Sequence, residues 1–335
     1  MYPFIAGTAA PNTSQGYTSD DSRFCGPGTL DETLVKGKIV FCDYTTYIEG
    51  PVEAGAVGVV VQSGRCKDYA FTYGLPLSNL SLNDGRNPDV TAPGVDILAA
   101  WSEAVPLTDT EDDIRIVPYN IISGTSMSCP HATGAAAYVE SFHPTWSPAA
   151  IKSALMTTAF PMSSENNLEA KFAYCAGHIN PAQAAQPGLV YDAGEIDYVK
   201  FLCGQGYTPK QLKLIITESN FTCSEETNGT VWDLNYPSFT LSTSPGNSIT
   251  RVFCRTVMNV GSPVSTYKAV VNAPPGLIIQ VQPSVLSFRS LGPKLTFVVT
   301  VGAEIGNSMI SGSLIWDDGV HQVRSPIVAY ASLVE

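Results

Sequence analysis

The sequence predicts a multidomain chain, α/β over roughly its first 190 residues and all-β from about residue 233. Three observations carry this. Apolar runs at residues 35–42 and 57–61 bracket a short helical stretch at 52–56, the strand–helix–strand order of a parallel sheet. A third apolar run, 117–122, passes through glycine into an alanine-rich helical segment that His143-Pro144 stops at about Phe142. Beyond Asp233 the period becomes two. Leu295, Phe297, Val299 and Val301 alternate with Thr296, Val298 and Thr300, and Leu277, Ile279 and Val281 with Ile278 and Gln280. Short strands so spaced read as a β-sandwich, and Asp318-Gly319 marks a hairpin before residues 320–323.

The chain is read as a small α/β unit over 1–82, a second α/β segment over 83–190, whose end rests on a family resemblance given below, a helical connector over 191–232 and the sandwich over 233–335. A chain of 335 residues can bury real cores in two or three domains. Its net charge is −12, with 18 scattered Lys and Arg, so nucleic acid and anionic membrane are excluded as partners. No apolar run approaches the roughly 20 residues of a membrane span. The start, Met1-Tyr2-Pro3-Phe4-Ile5-Ala6-Gly7, has neither the basic nor the apolar region of a signal peptide. Yet eight cysteines, and Asn-x-Ser/Thr sequons at Asn12, Asn79, Asn220 and Asn228, belong to an oxidising, secretory setting. The expectation is a chain incomplete at its start.

The chemistry concentrates at Ser123-Gly124-Thr125-Ser126-Met127-Ser128-Cys129-Pro130-His131-Ala132. Gly124 ends the strand, and Pro130 is expected in the first helical turn. Ser126 then sits where strand becomes helix, with an exposed hydroxyl and an N–H among the unpaired donors of a helix N-terminus. That suits a nucleophile whose tetrahedral intermediate carries negative charge; an N-cap serine is the plainer alternative. Small residues follow at Cys129, Ala132, Gly134, Ala135 and Ala136, so something packs closely on the helix. Pro88-Asp89-Val90-Thr91-Ala92-Pro93-Gly94 lies upstream, and Trp146-Ser147-Pro148-Ala149-Ala150-Ile151-Lys152-Ser153 downstream.

Gly-Thr-Ser-Met with Cys-Pro-His-Ala between those blocks resembles the nucleophile region of subtilisin-like serine proteases, in the cucumisin-like plant branch (subtilases). The resemblance runs over nearly the whole chain. It implies a partial subtilisin-like α/β catalytic domain, a truncated protease-associated insert over 1–82 and a C-terminal fibronectin-III-like β-sandwich. It implies Ser126 as the catalytic nucleophile, protein or peptide substrates, an extracellular (apoplastic) location and no cofactor. It also implies disulfides Cys25–Cys42 and Cys203–Cys223. Cys66 has no evident partner, and Cys175 stands where a glycine is expected and reads as a reduced thiol. Cys254 falls in a sandwich strand and reads as a buried thiol. No metal-ligand spacing occurs, and no acidic cluster argues for calcium.

A serine hydroxyl needs a base, usually histidine, oriented by a carboxylate. The chain has four histidines. His131, five positions after Ser126, points roughly 140° away and lies about 7.5 Å further along the helix. His143 falls at the helix end, His178 in the closing segment of the catalytic region and His321 at the sandwich hairpin, where exposure is expected. None precedes Gly-Thr, the expected context, and no Asp-Thr-Gly or Asp-Ser-Gly occurs. Asp89 and Asp96 read as structural. The loop carrying the oxyanion asparagine is missing between Gly85 and Arg86, and Asn87 does not take its place. Loss of one oxyanion donor costs ~10²–10³ in rate. Loss of nucleophile or histidine costs about 10⁶ in subtilisin, the enzyme in which that factor was measured. The isolated chain is therefore expected to be inactive. A non-catalytic protein-binding remnant of a secreted protease is the alternative. The alanine-rich helix is expected to lack most of the sheet that would bury it, leaving residues 86–190 poorly stable while the sandwich folds alone.

Overall fold

A computed structural model describes residues 3–43, 49–63, 77–81, 89–107, 114–163, 174–215, 223, 230, 232–306 and 309–331. Cys66, Asn87, Asn220, Asn228 and the Gly85-Arg86 junction lie outside them, as do residues 164–173. Two compact units emerge: Met1–Asn87 with Gln205–Asn228, and Pro88–Gly204 with Gly229–Glu335.

In the first unit four parallel strands stand in the order β1 (Phe4–Ala6), β2 (Ile39–Cys42), β3 (Gly58–Ser63), β4 (Leu77–Ser81). The short helices α1 (Ser19–Ser22), α2 (Glu32–Val35) and α3 (Glu49–Glu53) connect them. Two local expectations shift. Val35 ends α2, because Asp31 caps that helix by accepting from the Thr33 N–H, and Gly37 (φ 73°) turns the chain before β2 begins at Ile39. The helix expected at 52–56 lies at 49–53, ahead of Gly55 (φ 72°). Val35, Val40, Val59 and Val61 form the core. Cys25 and Cys42 are bridged, with Cα atoms 5.7 Å apart, as the resemblance implied. Cys203 and Cys223 are each disulfide-bonded.

The second unit opens with a two-stranded antiparallel ribbon, β5 (Ile97–Ala100) with β6 (Tyr119–Ile122). After it come α4 (Thr125–Phe142), α5 (Pro148–Thr157) and α6 (Pro181–Ala184). Then follow β7 (Leu189–Val190) and α7 (Glu195–Gly204). Ser147 caps α5, accepting from the Ala150 N–H at 3.0 Å, with Pro148 as its first residue.

The sandwich contains β8 (Phe239–Thr243), β9 (Ser248–Asn259), β10 (Ser265–Asn272) and β11 (Leu277–Gln282). It continues through β12 (Val285–Phe288), β13 (Lys294–Glu304), β14 (Ile310–Asp317) and β15 (Gln322–Ala331). One sheet has the order β12-β10-β14-β15-β8, the other β11-β13-β9-β7. Alternation sets the faces: Phe297, Val299 and Val301 are buried with Trp316, Phe253 and Phe239 between the sheets. Each such side chain contributes about 1.5–3 kcal/mol by leaving water.

Two residues depart from expectation here. Cys254 is exposed, because Phe253 and Arg255 are buried and the residue between them points to the opposite face. His321 is partly buried, its ring nitrogen Nδ1 3.1 Å from Asp318 Oδ2. It belongs to the hairpin loop, since β15 begins at Gln322.

The sandwich does not stand apart from the α/β segment. Strand β7 pairs antiparallel with β9, Leu189 opposite Asn259 and Val190 opposite Met258. Leu189 and Tyr191 sit in the sandwich core, and the Tyr191 hydroxyl lies 2.8 Å from Ser325 Oγ. One shared sheet and one shared core join the sandwich to the segment that ends at 190.

Candidate active site

Ser126 is the second residue of α4 and is exposed. The local sequence puts it there in three steps. β6 stops at Ile122; Ser123 Oγ accepts the Asp96 N–H at 2.8 Å; and Gly124, in extended backbone, donates its N–H to Gly94 O at 2.7 Å. One turn on, Ser128 Oγ donates to Ala92 O at 2.9 Å. The segment 92–94 therefore grips α4 on both sides of Ser126. Gly94 is required for that approach, because a Cβ there would overlap Ser128 Oγ and lie 2.9 Å from Gly124 O.

The gripping segment is itself held. Thr91 donates to Gly177 O at 2.8 Å, and Ile179 donates to Thr91 O at 2.8 Å. Cys175, in place of the expected glycine, adopts φ 43°, the left-handed region that glycine occupies freely. Burial, with the nearby Asp89 charge, pushes its thiol up to about 11. Pro130 is the sixth residue of α4, not part of its first turn, so the Ser126 carbonyl has no intrahelical N–H to accept. The amide of Ser126 remains among the unpaired donors of the helix start. Its hydroxyl has no hydrogen-bond partner among the described residues.

All four histidines lie among the described residues, and each ring is engaged elsewhere. His131 Nδ1 is 2.7 Å from Met127 O, one turn back on its own helix. His143 Nε2 is 2.8 Å from Ala185 O, its ring stacked on Trp146 at 3.7 Å. His178 Nδ1 is 3.0 Å from Ile179 O, and His321 pairs with Asp318. Asp89 accepts from the Tyr236 hydroxyl and pairs with Lys152 Nζ at 3.0 Å. Asp96, at φ 54°, faces Ser123. Asp96 thus braces the segment that leads into Ser126, and Asp89 ties Lys152 to Tyr236.

Helix α4 is barely covered. Only Ala135 and Val139 are buried, against Ala150, Ala154, Ile179 and Val190. Tyr138 and Phe142 are exposed, in edge-to-face contact at 5.0 Å. On the β5–β6 ribbon, Leu98 pairs with Ile121 and Ala100 with Tyr119. That face is wholly apolar and open to solvent, Leu98 at 69 %, Ile121 at 66 % and Tyr119 at 61 %. Among the described residues, no group of three His, Cys, Asp or Glu could hold a metal ion, and no helix is long and apolar enough to cross a membrane.

Sequence reasoning placed Ser126 at a helix start, where the structure has it. It missed Gly94 as a steric requirement, and it missed Tyr236, Arg255 and Arg324. Tyr236 stands in the stretch Asp233-Leu234-Asn235-Tyr236-Pro237-Ser238 that opens the sandwich, but no local signal ties it to Asp89, 147 positions away.

Residues 62–206 match the profile of the subtilase family, and residues 233–329 that of a fibronectin type-III domain. The chain is 41% identical over 382 residues to the subtilisin-like protease SBT4.3 of Arabidopsis thaliana, covering 98% of this chain and 51% of that protein. It is 42% identical over 383 residues to SBT4.6 and 39% over 388 residues to SBT4.12 of the same plant, covering 98% and 100% of this chain. The chain thus spans about half the length of these relatives. Each alignment exceeds the 335 residues of the chain, so each relative carries residues inside the matched stretch that have no counterpart here. The subtilase match over residues 62–206, the type-III match and the similarity to SBT4.3 over nearly the whole chain together support placing this chain among the plant subtilases.

Proposed function

We propose that this chain carries the nucleophile-bearing portion of a subtilisin-like serine endopeptidase, and that alone it does not turn over substrate. Ser126 Oγ would add to the scissile carbonyl carbon of a peptide, its proton passing to a base. The Ser126 N–H would meet the developing oxyanion. The amine would leave with that proton, and water would hydrolyse the acyl-enzyme. The base and its orienting acid are, on this reading, residues that this sequence does not encode. The observation that carries it is the exposed Ser126 at a helix start while every histidine ring is engaged elsewhere. Alignments longer than the chain fit an internal deletion, which this reading places at the oxyanion loop near Gly85-Arg86. Residues 1–82, with a parallel sheet and the Cys25–Cys42 bridge, fit a shortened protease-associated insert. The sequons and disulfides fit an extracellular setting.

The test is casein hydrolysis and fluorophosphonate labelling of the purified chain. Neither is expected alone; Ser126-dependent labelling is expected once the unmatched half of an Arabidopsis relative is added. Hydrolysis by the chain alone, abolished by Ser126→Ala, would overturn the proposal. The apolar face of Leu98, Tyr119 and Ile121 favours a second reading, a protein-binding module that cleaves nothing. Binding without labelling in the mixed sample would select it.

A further inference from the structure

We propose that Tyr236 and Arg324, both contributed by the sandwich side of the second unit, are positioning residues for the Ser126 turn. The inference rests on Ser126 being the nucleophile, and the geometry runs without a gap. The Tyr236 hydroxyl donates to Asp89 Oδ1. Lys152 of α5 closes the cluster, its Nζ 3.0 Å from Asp89 Oδ2 and 3.4 Å from the Tyr236 oxygen. Arg255 of β9 fixes Tyr236 in turn, donating to its carbonyl at 2.9 Å and to that of Trp232 at 2.6 Å. Further along, Arg324 of β15 donates to Ala176 O, and to Ala159 O at 3.4 Å.

These two grips fall on the ends of one short backbone ladder. Phe160 and His178 exchange hydrogen bonds of 2.8 and 2.9 Å; Ala176 donates to Asp89 O at 3.3 Å; Thr91 is held by Gly177 and Ile179. The next residues along the same segment are Ala92 and Gly94, whose carbonyls hold Ser128 and Gly124 on either side of Ser126. Sandwich side chains therefore anchor the strand that sets where the attacking oxygen stands. Packing alone would not do this, because α4 buries only Ala135 and Val139, both remote from its start. Both grips are charge-assisted, the first through the Asp89 carboxylate that accepts and the second through the Arg324 guanidinium that donates, so each is worth more than a neutral hydrogen bond.

The experiment is amide hydrogen exchange on the full chain, which needs no catalysis. The variants are Tyr236→Phe, which deletes one oxygen, and Arg324→Met. Under native conditions, well below the unfolding midpoint, exchange at Thr91, Gly124 and Ile179 is expected to accelerate at least about tenfold in each. Exchange in β9 and β13 should hold its wild-type rate, and Arg324→Lys, which keeps a donor, should restore most of the protection. Should Arg324→Met not fold, Tyr236→Phe carries the test. In the chain reconstituted for labelling, the rate at Ser126 should fall with the same variants. Acceleration spread evenly over the unit would mean stability only and would overturn the proposal, as would an unchanged Gly124. Should Ser126 prove unreactive in every sample, the exchange pattern still decides this question separately.

Discussion

Gly94→Ala tests how the helix carrying Ser126 is seated. The added Cβ would overlap Ser128 Oγ and stand 2.9 Å from Gly124 O and 3.3 Å from Ser128 Cβ. The backbone of Gly94 is not left-handed, so the cost is steric and not conformational. Overpacking of this size costs about 1–3 kcal/mol. Ser128→Ala alone should cost about 0.5–1.5 kcal/mol, the worth of its hydroxyl bond to Ala92 O. Both substitutions together should cost clearly less than their sum, because removing the hydroxyl empties the space the new methyl needs. A favourable coupling of about 1 kcal/mol is the expected size for two groups in contact. Urea denaturation of the four proteins, followed by tryptophan fluorescence, measures the cycle. Strict additivity, or a Gly94→Ala chain within about 0.5 kcal/mol of wild type, would refute the close approach.

Acid and alkali should each unfold the second unit through identifiable groups. Burial alone would raise Asp318, but the His321 N–H, the His321 ring and the Val320 N–H outweigh it and hold the carboxyl below the usual range. A depressed folded value means the stabilisation is complete above the unfolded value of about 3.9 and is lost as pH falls through the folded one. Asp318→Asn should therefore flatten the acid limb of stability against pH, measured as urea midpoints from pH 6 to pH 2. Tyr191 is pushed the other way, up to about 12 by burial, with the Ser325 hydroxyl and Arg255 opposing. Its contribution is whole below about pH 10 and disappears as pH rises toward the folded value; Tyr191→Phe should lose that alkaline dependence. In the first unit, replacing Cys25 and Cys42 by serine opens a bridge of sequence separation 17. The loss should be about 3 kcal/mol, read as a lower denaturation midpoint for that unit alone.

The sandwich was readable because its information is local. Alternation at 295–301 names the inward face whatever the strand's neighbours are, and Asp318-Gly319 names the reversal. The same holds for the entry to α4: an apolar run, a glycine and an alanine-rich segment place Ser126 within a residue of its observed position. Where two local rules compete, the reading slipped. Val35 looked like strand until the Asp31 cap and the turn at Gly37 claimed it for α2. Cys254 looked buried because cysteine usually is, while its strand parity with Phe253 said otherwise.

By itself the sequence placed the helix that carries Ser126 and the inward face of every long strand read for period. These depend on contacts between residues a few positions apart. Only the tertiary structure decided that β7 completes a sandwich sheet, that His321 is partly covered beside Asp318, and that Tyr236 meets Asp89 and Arg324 meets Ala176. The last of these outcomes rests on hydrogen bonds between residues 147 and 148 positions apart, and no periodicity or turn preference records which distant backbone will arrive beside a given side chain.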